Sequence, residues 1–157
     1  MIFGPDIGIS TYGASATGSD SLCSQTSGSA TPMMLATHRT VSVVDDDEPV
    51  RDSMRLLLES SGFAVRDYSS ATEFLEDPRA LDSCCLVLDL HMPGMNGIEL
   101  MELLRERRSG IPTLLITGKG DPNLGDRVAR AAILATLHKP VREEILLQWI
   151  ERACKAG

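Results

Sequence analysis

The chain has 157 residues, 43% of them hydrophobic, and a formal net charge of -7, which is enough for one domain with a proper core but not for two. An acidic balance with no basic or aromatic-studded stripe repels phosphate backbones and anionic membrane surfaces, so neither direct nucleic-acid binding nor membrane association is expected. The opening MIFGPDIGIS has no basic region ahead of an apolar core, and no run approaches the ~18 apolar residues of a membrane span; the expectation is a soluble, cytoplasmic protein.

From Gly4 to Thr37 the chain is Gly, Ser, Thr and Ala with few large apolar side chains, a composition that cannot offset the entropy of ordering. Residues 1–38 are therefore expected to be a disordered, low-complexity tail, and 39–157 one folded domain. Met33 and Met34 stand just before the folded pattern begins, so a start further downstream is open. TVSVV (40–44) is predicted to be a strand that stops at Asp45, Asp46 and Asp47. Val50, Met54, Leu57 and Leu58 then follow helical spacing up to Gly62. FAVRDY is predicted as the second strand and SSATEFLED as a short helix. CCLVL (84–88), nearly all apolar, fits a strand buried on both faces. Ile98, Met101 and Leu104 mark a third helix, IPTLLIT (111–117) a fourth strand, and 121–130 a fourth helix. AILATL is predicted as the fifth strand, with a last helix from Val141 to Cys154 facing inward through Ile145, Trp149 and Ile150. Five strand–helix units account for the domain, the signature of a parallel α/β sheet. Cys23, Cys84, Cys85 and Cys154 form no CxxC pair, and reduced thiols are expected.

The unusual polar residues stand at the carboxyl ends of predicted strands: Asp45, Asp46 and Asp47 after the first, Asp89 ending the third, Thr117 ending the fourth, Lys139 after the fifth. In an open α/β sheet the loops converge at that edge. Taken singly, each Asp could merely cap the next helix, Thr117 could be a cap or a sheet-end residue, and Lys139 could be a solvated charge. Together, carboxylates, a hydroxyl and an ammonium are the parts needed to hold a dication and a phosphoryl group. Two carboxylates about 4 Å apart repel by roughly 4 kcal/mol at an intermediate dielectric, and Mg²⁺ suits such a set better than Ca²⁺ or zinc. One Asp could then act as nucleophile while Thr117 and Lys139 meet the phosphoryl oxygens.

VSVVDDDEPVR, LVLDLHMPGMNGIEL, LLITGKGD and LHKP, in this order and spacing, resemble the receiver domain of bacterial two-component response regulators, over about residues 40–155. ITGKGD looks especially like receivers of the nitrogen-fixation transcription-factor group. The resemblance implies a flavodoxin-like fold: a doubly wound, five-stranded parallel sheet in the order 2-1-3-4-5 with five helices. It further implies that Asp89 is the phosphoacceptor, that Asp46 binds Mg²⁺ directly and Asp45 through water, and that the His91 carbonyl completes the ligands. Thr117 and Lys139 would bind phosphoryl oxygens, Gly118 would leave an open approach, and the Lys139–Pro140 bond would be cis. Asp47 is expected to be a cap and surface charge. The implied donor is a sensor histidine kinase or histidine phosphotransfer protein.

The chain departs from the family where Tyr or Phe usually stands three residues before the Lys: here it is Thr136, with Ala132 and Ala135 in place of a common Gly and an acidic residue. The usual aromatic switch is thus missing, and output is expected to use another face or to be weakly coupled. His91 and Lys119 either tune the acyl phosphate lifetime or are inert loop residues. The main expectation is a stand-alone phosphoacceptor, not an enzyme beyond its own phosphorylation and dephosphorylation. A phosphorylation-independent adaptor is the alternative. A phosphohydrolase would want a second Asp where His91 stands.

Overall fold

The computed structural model describes residues 39–118, 120, 124–130 and 133–156. The expected tail, Cys23, Lys119, Ala132 and the first residues of the expected fourth helix lie outside them. Strands β1 (Thr40–Val44), β2 (Ala64–Tyr68), β3 (Cys85–Asp89), β4 (Thr113–Thr117) and β5 (Ile133–His138) alternate with helices α1 (Glu48–Ser60), α2 (Ala71–Glu76), α3 (Gly97–Glu106), α4 (Leu124–Arg130) and α5 (Glu143–Ala156). The sheet is parallel, in the order β2-β1-β3-β4-β5, as expected. A single turn of 3-10 helix at Ala80–Asp82 was not foreseen.

Alternation along the strands sends successive side chains to opposite faces. Val44, Leu86, Leu88 and Leu115 pack with Phe74 of α2, Ile98 and Leu104 of α3 and Leu124 of α4. Val41, Val43, Val87, Leu114, Ile116 and Leu137 pack with Met54 and Leu58 of α1 and with Leu146 and Ile150 of α5. Both faces are therefore covered, which is why β3 and β4 are buried along their whole length. The buried row of α5 is Leu146, Ile150 and Ala153, so the inward face is turned slightly from the expected one, with Ile145 and Trp149 only partly buried beside it.

Helix ends follow their residues. Asn96 accepts from Ile98 N–H and Glu99 N–H while the Glu99 side chain accepts from Asn96 N–H, a complete capping box for α3. Ser70 caps α2 through Glu73 N–H. Gly62 ends α1 with φ +90°, a conformation glycine adopts without steric cost.

One expectation is overturned. Cys84, just before β3, and Cys154 on α5 are joined by a disulfide across 70 residues, with Cα atoms 4.9 Å apart. Spacing could not reveal the pair, because only the packing of the end of α5 over the start of β3 brings them together. Cys85 is the buried free thiol among the described residues, and burial pushes it up to about 12. Among the described residues no helix is long and apolar enough to cross a membrane.

Candidate functional site: an acidic cluster at the sheet edge

Strand register builds the site. Val44 pairs with Leu88, so the next residues, Asp45 and Asp89, come side by side. Asp89 pairs with Ile116, which sets Thr117 just beyond it, and Thr117 pairs with His138, which brings Lys139 to the same edge. Lys139 N–H donates to the Thr117 carbonyl at 2.8 Å, and the Lys139–Pro140 bond is cis.

Carboxylate oxygens of Asp45, Asp46 and Asp89 lie within 4.8 Å of one another. Asp45 and Asp89 are buried, at 2% and 4% exposure, and Asp46 is exposed. The Lys139 ammonium stands 3.4 Å from Asp89 Oδ1 and 3.7 Å from Asp45 Oδ2. Thr117 is fully buried. Gly118 is exposed, and a side chain there would meet nothing within 4 Å. His91 is an exposed side chain whose backbone N–H supports the Asp89 carboxylate.

Capping does not explain Asp89, because α3 is capped by Asn96, seven positions later. Asp47 occupies the N-cap position of α1 but its side chain makes no capping bond. Its backbone N–H donates instead to Asp45 Oδ1 at 2.9 Å, so Asp47 serves the cluster through its main chain.

Burial raises the carboxyl pKa of Asp45, opposed by the Asp47 N–H and reinforced by the neighbouring Asp89 and Asp46 charges. Burial likewise raises that of Asp89, while Lys139 and the His91 N–H pull it back. Burial pulls Lys139 down, but the Asp45 and Asp89 carboxylates outweigh it and hold the ammonium above its ordinary range. Asp45 Oδ2 and Asp89 Oδ1 are buried and lack a close hydrogen bond, so the one Lys139 ammonium, at 3.7 and 3.4 Å, compensates two buried carboxylates only in part. An all-oxygen set built on carboxylates fits a hard dication such as Mg²⁺.

Two arginines to which the sequence analysis gave no role also take part. Arg51 of α1 donates through Nη1 to the Asp45 carbonyl at 2.7 Å, and its Nε lies 3.5 Å from Asp67 Oδ2 on β2. Arg55 pairs with the other oxygen of Asp67. An Arg one turn into the helix after an acidic loop was the available signal.

Residues 41–151 match the family model of the response regulator receiver domain. The transcriptional regulatory protein FixJ of Rhizobium meliloti is 38% identical over 117 residues, 74% of this chain and 57% of that protein. The response regulator protein TmoT of Ectopseudomonas mendocina is 38% identical over 115 residues, 73% of this chain and 52% of that protein. The chain thus spans little more than half the length of these relatives. Among solved structures, the response regulator StyR superposes with a TM-score of 0.69 at 45% identity, over 74% of this chain and 59% of that one. The FixJ-N crystal structure superposes with a TM-score of 0.66 at 39% identity, over 74% and 94%. The acidic edge, the strand order and these likenesses converge: the chain belongs to the response regulator receiver domain family of two-component signal transduction.

Proposed function

We propose that the protein is a phosphoacceptor receiver: Asp89 takes a phosphoryl group from a phosphohistidine on a sensor kinase or phosphotransfer protein, and the signal passes on by protein contact or onward phosphotransfer. The observation that carries this reading is that the buried oxygens Asp89 Oδ1 and Asp45 Oδ2 are both ion-paired with the single Lys139 ammonium at one strand edge.

Asp45, Asp46, Asp89 and the backbone carbonyl of His91 would hold Mg²⁺. When bound, the ion supplies charge neutralisation for the carboxylates and for the incoming phosphoryl oxygens. The remaining work falls to the chain. An Asp89 carboxylate oxygen attacks phosphorus, the bond from phosphorus to the donor imidazole nitrogen breaks, and the electron pair leaves with the imidazole. Lys139 neutralises one phosphoryl oxygen of the product acyl phosphate and the Thr117 hydroxyl donates to another. Gly118, open to solvent, leaves the approach beside Thr117 clear. Hydrolysis restores Asp89 when water attacks phosphorus, the bond from phosphorus to the Asp89 oxygen breaks with its electron pair returning to the carboxylate, and inorganic phosphate leaves. No general base is needed for phosphorylation, since the nucleophile is used as carboxylate.

Incubation with acetyl phosphate and Mg²⁺, followed by intact mass measurement, tests this. A gain of one phosphate that disappears in Asp89→Asn is expected; no gain, even with a cognate kinase, refutes it. A second reading, a phosphorylation-independent adaptor, is favoured by Thr136, half-buried on β5 where receivers usually carry an aromatic ring. Partner affinity that is the same with and without a phosphate mimic would support weak coupling.

A further inference from the structure

We infer that Arg51 is a positioning residue for the acidic pair, holding the one peptide unit from which Asp45 and Asp46 both project. This rests on the Mg²⁺ site just proposed and extends it to a residue that touches neither metal nor phosphate.

The Asp45 carbonyl belongs to the peptide linking Asp45 to Asp46, and that unit is planar from one Cα to the next. Fixing its oxygen therefore constrains the orientation of both side chains at once. Arg51 Nη1 supplies that fixation at 2.7 Å. The preceding peptide is held as well, since Asp45 N–H donates to the Tyr68 carbonyl at 3.2 Å, and Asp47 N–H holds the Asp45 carboxylate at 2.9 Å. Arg51 is only 13% exposed, and a guanidinium so far out of water needs compensation. Asp67 provides it from β2 at 3.5 Å, and Asp67 is in turn steadied by Arg55. A chain of contacts thus runs from β2 through α1 to the loop that carries two of the three acids. Arg rather than Lys suits this place, because a rigid fork of donors can meet a carbonyl and a carboxylate together.

Charge and position predict opposite effects here, which makes the inference testable. Arg51→Met removes a positive charge close to an acidic cluster, so electrostatics alone would tighten Mg²⁺ binding. Loss of positioning loosens it, by about tenfold for an outer-shell partner of this kind. Calorimetric titration of the full chain with Mg²⁺ measures the difference directly, with melting temperature recorded alongside; general destabilisation moves the latter but leaves the affinity of the folded protein unchanged. Weaker binding in Arg51→Met, with Arg51→Lys between it and the wild type, is expected. Binding by Arg51→Met as tight as the wild type or tighter overturns the inference. Should Arg51→Met fail to fold, Arg51→Lys decides alone: a loss of several-fold supports the role and wild-type affinity overturns it. Wild-type protein that takes up no Mg²⁺ would instead overturn the metal reading itself, and this inference with it.

Discussion

Gly97, the first residue of α3, offers a sharp test of how α3 sets the position of Asp89. A Cβ built there would stand 2.7 Å from the Asp89 carbonyl oxygen and 3.0 Å from Leu90 Cα, where ordinary contact begins at 3.4 Å. Both neighbours are backbone, so no side chain can swing aside, and Gly97 N–H is itself fastened to the Leu90 carbonyl at 3.0 Å. Gly97→Ala must therefore push the end of β3 and the start of α3 apart by about 0.7 Å. Overpacking of this kind costs roughly 1–3 kcal/mol, and the better helix propensity of Ala returns at most about 1 kcal/mol. A net loss of about 1–2 kcal/mol, or roughly 5–10 °C in Tm for a domain of this size, is expected. Because the displaced atom is the Asp89 carbonyl, phosphorylation by acetyl phosphate should slow by ~10-fold or more. Thermal melting and phosphorylation followed by mass measure both. Gly118→Ala is the control, since nothing lies within 4 Å of its Cβ, and its Tm should not move. Gly97→Ala protein with wild-type Tm and phosphorylation rate would refute the reasoning.

The disulfide and the buried acids give two further expectations. Cys154→Ser opens a loop of 70 residues, and the loop-closure relation puts the loss at about 4 kcal/mol; urea unfolding of oxidised wild type against the variant measures it, and equal midpoints would count against the cross-link. Burial raises the folded pKa of Asp45 and Asp89 above the unfolded value, so their contribution to stability is full below the unfolded pKa and is lost as pH rises through the folded one. Without Mg²⁺, Asp89→Asn should accordingly be more stable than wild type at neutral pH, by a margin that shrinks as acidification carries Asp89 through its raised pKa; urea midpoints along a descending pH series check this, and a margin that grows on acidification refutes it.

The fold was legible because its strands are written as short apolar runs and its helices as amphipathic repeats. CCLVL announced a strand covered on both faces, and Met54 with Leu58 announced the inner side of α1. The residues of the candidate site were legible as chemistry placed where chemistry is costly: Asp89 closes an apolar strand, and Lys139 precedes a proline. What escaped depends on contacts between elements distant in sequence. No local pattern ties Cys84 to Cys154 or Asp67 to Arg51. Asp47 looked like a helix cap by position and residue type, yet the bond that matters comes from its backbone. The facing of α5 was misjudged slightly because Ile145, Trp149 and Ile150 are apolar alike, and only packing chose Leu146, Ile150 and Ala153 as the buried row.

The cross-link between Cys84 and Cys154 divides the site in an unexpected way. Asp89, Thr117 and Lys139 all fall inside the covalent ring it closes, while Asp45 and Asp46 lie on the chain that enters before it. The three residues assigned to the phosphoryl group therefore stay tethered to one another even in an unfolded oxidised chain, and the two other acids join them only through the noncovalent seam where β1 meets β3. Separation of that seam would part Asp45 and Asp46 from Asp89 without breaking the ring, so the cluster is whole only where β1 is paired with β3.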